Sequence, residues 1–166
     1  ATSCLITGNV SSGSTGGGGI YTSSTTTITS SEISNNNSAF SGGGIVNSGS
    51  GSMSLITTSV KNNNAGFAGQ GGGLYNTANA TITRSTISNN RATDGAAIAN
   101  VNFAMPTSLT ILLSTLSTNV ATGNGGGLFN ATGASASIDD STITANIASN
   151  GGGIFRQNSV SMVGSI

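Results

Sequence analysis

The segment ATITRSTISNN, residues 80–90, carries the pattern that decides the fold. It places apolar residues at Ile82 and Ile87, a serine between them at Ser85 and an asparagine at Asn90. Alternation of apolar and hydroxyl-bearing residues over a short span is typical of half-buried β-strands. Asn is a frequent turn residue, so it marks a boundary after the second apolar position. The same arrangement recurs along the chain, which makes this segment one unit of a repeat.

Two apolar columns and the residues between and after them define the repeat. An apolar residue followed three positions later by Asn occurs six times, at spacings of 27, 27, 27, 29 and 27 residues. The apolar members, here called the central column, are Ile6, Ile33, Val60, Ile87, Leu116 and Ile143. Their asparagines, the Asn ladder, are Asn9, Asn36, Asn63, Asn90, Asn119 and Asn146. The leading column lies five residues before the central one, at Ile28, Leu55, Ile82, Ile111 and Ile138, with Met162 as its expected sixth member. Between them lies a hydroxyl column, made of Ser31, Thr58, Ser85, Ser114 and Ser141.

A third apolar column follows short glycine runs. Its residue comes after GGG in five repeats and after GAA in the remaining one. The spacings of 25, 29, 24, 30 and 26 residues vary, which places insertions on either side of it. This glycine-run column consists of Ile20, Ile45, Leu74, Ile98, Leu128 and Ile154.

A period near 27 residues with Thr, Ser, Ile and Asn predicts strands and turns in preference to paired helices. We therefore expect residues 1–166 to form one all-β domain, a right-handed parallel β-helix of about six coils with about three short strands per coil. Successive parallel strands lie about 4.8 Å apart, so the rod would be roughly 29 Å long. The apolar columns would stack inside it and supply the core.

The asparagines are expected to be structural. Stacked Asn side chains donate hydrogen bonds from one amide to the next, and Asn also tolerates left-handed backbone at a tight turn. A second Asn column follows the glycine-run column and is interrupted at its ends by Thr22 and Arg156. Its members are Asn47, Asn76, Asn100 and Asn130. The glycines are expected to supply corners with positive φ or close backbone approach.

The GGGI or GAAI run that alternates with an apolar residue, two positions and Asn resembles the GGA(I/L/V) and FxxN repeats of polymorphic outer-membrane proteins. The resemblance covers nearly the whole chain. It implies a right-handed parallel β-helix of the pectate-lyase-like class, as used by bacterial surface adhesins and autotransporter passengers. In this chain Ile, Val or Leu stands before the Asn where the family has Phe, and GGG mostly replaces GGA.

Composition and charge placement argue against several function classes. The four Lys/Arg balance four Asp/Glu, so the basic excess of a nucleic-acid-binding protein is missing. The sequence contains no run of eighteen apolar residues, which a membrane-spanning helix would need. It also contains no His that could act as a general base. Glu32 falls four coils from Asp139 and Asp140, roughly 19 Å along the axis. We therefore expect no enzyme, no cofactor and no metal site.

A column of aromatic residues beside the glycine-run column is the candidate surface site. Tyr21, Tyr75, Phe129 and Phe155 each follow that column by one residue. They would either stack on sugar rings as an exposed strip or pack laterally on one another. A glycan-binding or glycan-cleaving groove would be expected near the longest insertion, around residues 101–108.

The leading functional hypothesis is a secreted or cell-surface subunit that stacks head to tail into a fibre. Residue 1 and Met162 occupy the same phase as Ile28, and neither end of the sequence reads as a cap. The alternative is a segment of a longer adhesin or autotransporter passenger, whose flanking coils cover the ends. Its partners would be its own copies or flanking coils, with glycans or a host or neighbouring cell surface as further candidates. Cys4 is interpreted as a small buried hydrophobe or as a reactive or intermolecular thiol.

Overall fold

The computed structural model describes residues 1–103 and 106–165. Within these ranges the regular structure consists of strands alone, and every strand pairing is parallel. The strands stack into four sheets, so the chain is a β-solenoid of about six coils. The predicted all-β solenoid fold, with about 27 residues per coil, is confirmed.

The sheets are numbered I to IV in the order in which one coil visits them. Sheet I contains the leading column, and its strands are β4 (Thr26–Thr29), β8 (Ser52–Ile56), β12 (Asn79–Thr83), β16 (Thr107–Leu112), β20 (Ala134–Asp139) and β23 (Val160–Val163). Sheet II contains the central column, and its strands are β1 (Leu5–Thr7), β5 (Glu32–Ser34), β9 (Ser59–Lys61), β13 (Thr86–Ser88), β17 (Thr115–Ser117) and β21 (Thr142–Thr144).

The other two sheets follow the Asn ladder and the glycine runs. Sheet III consists of two-residue strands, which are β2 (Val10–Ser11), β6 (Asn37–Ser38), β10 (Asn64–Ala65), β14 (Arg91–Ala92) and β18 (Val120–Ala121). Sheet IV contains the glycine-run column, and its strands are β3 (Ile20–Thr22), β7 (Ile45–Asn47), β11 (Leu74–Asn76), β15 (Ile98–Asn100), β19 (Leu128–Asn130) and β22 (Ile154–Arg156). Sheets I, II and IV are the three strands per coil that the repeat predicts, and sheet III adds a short fourth side.

The strand register matches the predicted columns. Ile82 pairs with Leu55 on one side and Ile111 on the other, and Met162 pairs with Ile138 as the expected last member of the leading column. Thr2 forms a bridge to Thr29, which puts the first residues of the chain under sheet I. The residues that the sequence assigns to one column are therefore paired with one another in neighbouring coils of the structure.

The apolar columns form one core along the axis. In the middle coils their side chains are completely buried, with Val60, Ile82 and Ile87 each 0% exposed. In the end coils the same columns are only partly covered, at Ile6 and at Ile143. Each aliphatic side chain is thus covered by its equivalents in the coils above and below, and burial of this kind stabilises by roughly 1.5–3 kcal/mol per side chain.

The glycine runs fulfil both expected roles. Gly42 adopts a φ of 65°, in the left-handed region. A Cβ on Gly43 would lie 2.4 Å from the carbonyl carbon of Asn64, closer than any side chain tolerates. The first glycine of the run therefore makes the corner, and the second allows neighbouring coils to approach.

Two further corners have left-handed backbone at fixed phases. Directly before the hydroxyl column, φ lies between 47° and 51° at Ser30, Thr57, Arg84, Leu113 and Asp140. Before the Asn ladder, the left-handed residues include Asn35, Asn62 and Asn89, with φ of 55° to 56°. The expectation that the ladder asparagines themselves adopt this conformation is wrong. The turn is made one residue earlier, which leaves each ladder side chain free to point inward.

Thr57 is strained at its corner, because a β-branched residue is poorly suited to the left-handed region. We expect Thr57→Gly to raise the free energy of unfolding by about 1 kcal/mol, since the exposed side chain contributes little packing. The control is Thr27→Gly, the same change at an exposed position within β4, which should lower it by about 0.5–1 kcal/mol. Urea denaturation measures both, and a loss of stability in Thr57→Gly would refute the strain.

Candidate functional site

The Asn ladder is continuous from Asn9 to Asn146. In each step the side-chain Nδ2 of one Asn donates to Oδ1 of its equivalent in the next coil, over distances of 2.9–3.1 Å. The backbone N–H donates to the same oxygen at 2.9–3.0 Å. All the donors in these steps point the same way, so the ladder is polar along the rod axis.

Each interior ladder side chain uses its full hydrogen-bonding capacity. Asn63 is 0% exposed. Its Oδ1 accepts from the backbone N–H and from Nδ2 of Asn36, both at 3.0 Å. Its Nδ2 donates to the carbonyl of Ile33 at 3.0 Å and to Oδ1 of Asn90 at 3.1 Å. The ladder thus satisfies buried polar groups within the protein, and a ligand is not needed to explain it.

The hydroxyl column forms a second continuous chain of hydrogen bonds. The backbone N–H of Thr58 donates to Oγ of Ser85 at 3.0 Å, and that hydroxyl is 2.9 Å from the carbonyl of Thr83, to which it donates. Cys4 occupies the first position of this column, because its N–H donates to Oγ of Ser31 at 3.0 Å. Cys4 is a free thiol with intermediate burial. It is therefore less buried than a core residue, and its reactivity stays a prediction.

The second Asn column is also a ladder. Nδ2 donates to Oδ1 of the next coil at 2.7 Å from Asn47 to Asn76, at 2.8 Å from Asn76 to Asn100 and at 2.7 Å from Asn100 to Asn130. Oδ1 of Asn47 is buried without a hydrogen-bond partner among the described residues. The preceding coil has Thr22 at this position, as the sequence indicates, and its Oγ1 bonds to Thr26 instead.

The unpaired oxygen of Asn47 gives a direct test of ladder energetics. Thr22→Asn would place an amide donor beneath Asn47, and we expect the free energy of unfolding to rise by about 1 kcal/mol. The Asp side chain of Thr22→Asp has nearly the same shape as that of Asn but lacks the amide donor. It should lower the free energy of unfolding by placing a carboxylate against Oδ1 of Asn47. Chemical denaturation of both variants decides the matter, and equal behaviour would contradict the ladder explanation.

A third polar column was missed by the sequence reasoning. Nε2 of Gln70 donates to Oδ2 of Asp94 at 3.2 Å, and Nδ2 of Asn124 donates to Oδ1 of Asp94 at 3.0 Å. Nδ2 of Asn150 then donates to Oδ1 of Asn124 at 3.0 Å. Each of these residues directly precedes a glycine run. That shared position is the sequence signal from which the column could have been predicted. The Asp94 carboxylate accepts hydrogen bonds from both neighbouring coils, so it stabilises the stacking of those coils.

The other charged residues are dispersed over the described coils. Glu32 and Lys61 form an ion pair at 2.8 Å between adjacent coils, and the Lys61 hydrogen bond, aided by Ser34, lowers the pKa of Glu32. Asp139 pairs with Leu112 and Val163 in sheet I, far along the axis from Glu32. Residues 1–103 and 106–165 contain no cluster of three His, Cys, Asp or Glu side chains suited to a metal ion.

The predicted aromatic column exists, but its two halves differ. The column runs along the outer face of sheet IV as Tyr21, Val46, Tyr75, Ala99, Phe129 and Phe155. Phe129 is only 6% exposed and stacks on Phe155, with ring centroids 5.8 Å apart and planes inclined by 9°. Tyr21, at 49% exposure, and the half-buried Tyr75 instead line an open groove of about 210 Å³. Lateral packing accounts for Phe129 and Phe155 and for part of the Tyr75 surface, whereas Tyr21 is the most exposed member of the column.

One described residue of the insertion near residues 101–108 lies beside this groove. Phe103 is 83% exposed and forms part of the groove wall. Pro106 lines a separate depression with Ala78 and Asn79. Residues 104 and 105, which belong to the same insertion, lie outside the described residues.

These ladders and columns define the chain as a parallel β-solenoid repeat protein. No protein-family model, curated protein or solved structure matches it. The described residues also form no helix long and apolar enough to cross a membrane.

Proposed function

We propose that this chain is a structural, non-catalytic subunit of an extracellular or cell-surface fibre, in which solenoids stack head to tail. The observation that carries the proposal is the match between the two open ends of the described solenoid. The resemblance of its repeats to those of polymorphic outer-membrane proteins supports the cell-surface location.

In the end coils, members of the central and glycine-run columns that the middle coils would bury are only partly covered. At one end, Ile6 and Ile20 are only partly covered. At the other end, Ile143 and Ile154 are partly covered and Met162 is 49% exposed. A further coil of the same geometry would bury each set as the interior coils bury their own columns, and apolar burial would favour that contact.

The hydrogen-bonding groups at the two ends are complementary. Oδ1 of Asn9 accepts no hydrogen bond from the described residues, although every interior ladder oxygen accepts two. At the opposite end, the N–H of Asn146 donates to no described residue, and its Nδ2 donates only to the carbonyl of Leu116. A second copy stacked on Asn146 would bring its Asn9 oxygen to the donors that lack an acceptor. The ladder therefore favours one direction of stacking.

The end strands carry little of the protection that usually prevents edge association. Charged residues and Pro commonly block such edges. The strands β1, β2, β3 and β4 contain none of these, and Arg156 is the one charged residue in β21, β22 and β23. Among these strands, Arg156 is consequently the one side-chain charge that would oppose edge-to-edge association.

The experiment compares two lysine substitutions by negative-stain microscopy and sedimentation. Met162→Lys puts an ammonium group on the surface that a second copy would have to bury, so it should abolish fibres. Thr81→Lys adds the same charge on the outer face of sheet I and should leave fibres intact. Monodisperse short rods of the unsubstituted chain at micromolar concentration would overturn the proposal.

The second candidate is a segment of a longer adhesin passenger, favoured by the same open ends if flanking coils of one chain cover them. In that case, extension of the chain with its own flanking coils would bury Ile6 and Met162 and produce monomers. The fibre proposal instead predicts that the 166-residue chain polymerises by itself.

Circular dichroism is the folding control for Met162→Lys and Thr81→Lys. If each variant keeps its strands, loss of fibres is separable from loss of folding.

A further inference from the structure

We propose that the groove on the outer face of sheet IV binds a neutral, extended glycan. The groove opens on the side of the solenoid and includes Thr15 and Tyr21 of the first coil, but glycan binding there does not require fibre assembly. It measures about 210 Å³ and is lined by Thr15, Tyr21, Val46, Ser48, Tyr75, Thr77 and Phe103.

The two tyrosines form a platform with a regular spacing. Tyr21 pairs in register with Val46, and Val46 pairs with Tyr75, so the aromatic side chains lie two coils apart. Two coils correspond to about 9.6 Å along the axis. The rise of one coil is close to the length that one ring occupies in an extended β-linked sugar chain. Alternate rings of such a chain, aligned with the solenoid axis, would therefore meet successive tyrosines.

The floor between the tyrosines is formed by a buried valine side chain. Val46 is 2% exposed, although its side chain lies on the outer side of sheet IV. A Cβ on Gly42 would lie only 2.3 Å from Cγ2 of Val46, which shows that the glycine corner packs directly against this side chain. The rings of Tyr21 and Tyr75 thus flank a low apolar step, and the exposed ring of Phe103 contributes to the wall.

The chemistry of the lining selects the class of ligand. Aromatic faces pack against the C–H faces of sugar rings, while hydroxyl groups hydrogen-bond to sugar hydroxyls. Thr15, Ser48 and Thr77 supply those hydroxyls around the tyrosines. Burial raises the pKa of Tyr75, so its phenol stays protonated and can donate.

The lining is poorly suited to other ligands. The described residues that line it include no charged side chain, so an acidic polysaccharide or a nucleic acid would bury its charges without a partner. The side chains of a wholly apolar peptide would offer no hydrogen-bond partner to the hydroxyls of Thr15, Ser48 and Thr77. A neutral glycan has both an apolar face and polar rims, and it fits both parts of the groove.

The test uses a neutral β-1,4-linked glucose hexasaccharide as the probe, with an oligogalacturonate of equal length as the charged comparison. Isothermal titration calorimetry should detect the neutral probe and not the charged one. Tyr21→Ala should weaken binding by about tenfold or more, the loss of one stacked ring. Tyr75→Phe should weaken it less, because the ring remains and only the hydroxyl is lost.

Phe40→Ala provides the matched control, since Phe40 is 47% exposed and lies outside the groove. It should leave binding unchanged. The proposal is overturned if the hexasaccharide does not bind, if the oligogalacturonate binds equally well, or if Tyr21→Ala and Phe40→Ala have the same effect. Circular dichroism of Tyr21→Ala, which changes a half-exposed residue in an end coil, verifies that the solenoid is intact.

Discussion

Asn63→Ala is expected to lower the free energy of unfolding by about 3 kcal/mol or more, because it strands several buried polar groups at once. The N–H and one Nδ2 hydrogen of Asn36 lose their acceptor. The carbonyl of Ile33 loses a donor. Each unsatisfied buried group costs about 1–3 kcal/mol. Urea denaturation monitored by circular dichroism measures the change.

The neighbouring residue supplies the control. Asn64 is exposed, and its side chain donates one described hydrogen bond, to Oδ1 of Asn37 at 3.0 Å. Asn64→Ala should therefore change stability by less than about 0.5 kcal/mol. Asn63→Asp should be as damaging as Asn63→Ala, because it keeps the acceptor but buries a charge and removes both donors. Similar stabilities of Asn63→Ala and Asn64→Ala would contradict the structural role of the ladder.

Ile82→Ala is expected to lower the free energy of unfolding by about 2–5 kcal/mol. Ile82 is 0% exposed and lies between Leu55 and Ile111 in the leading column. Truncation leaves a cavity that neighbouring coils cannot close, because their hydrogen-bonded spacing is fixed. The measurement is the same denaturation experiment.

Two controls separate stacking from simple loss of apolar surface. Thr81→Ala, at the adjacent exposed position, should change stability by less than about 0.5 kcal/mol. Ile143→Ala, at the partly covered end of the central column, should cost less than Ile82→Ala. An equal loss at Ile82 and Ile143 would argue against stability that grows by stacking from coil to coil.

The features predicted from sequence are those repeated at nearly constant spacing with similar residue types. The central column and the Asn ladder meet both conditions, since the inward position accepts only an aliphatic side chain or a fully bonded amide. Ile82 and Asn90 could be placed for this reason. The left-handed corners were assigned one residue too late, because Asn35 and Asn36 are both asparagines and composition alone does not distinguish the turn residue from the ladder residue.

Features with short or irregular signals could not be predicted. The strands of sheet III, such as β10, are two residues long and give no visible alternation. The column through Asp94 mixes Gln, Asp and Asn at variable spacing, so its hydrogen bonds appear only in three dimensions. The aromatic column divides because Phe129 and Phe155 stack, Tyr75 packs partly against the cluster of Ala99 and Phe129, and Tyr21 at the end of the column is half-exposed.

The central claim is that equivalent residues lie one above another at a constant rise per coil. Pulsed electron paramagnetic resonance tests it most directly, in a Cys4→Ser background that keeps the residue type of the hydroxyl column. Spin labels at Thr27 and Ser137 lie four coils apart, and labels at Thr27 and Ser161 lie five coils apart. The expected distances are about 19 Å and about 24 Å, a difference of one strand spacing. A difference between the two pairs much larger than about 5 Å, or none at all, would contradict the stacked solenoid.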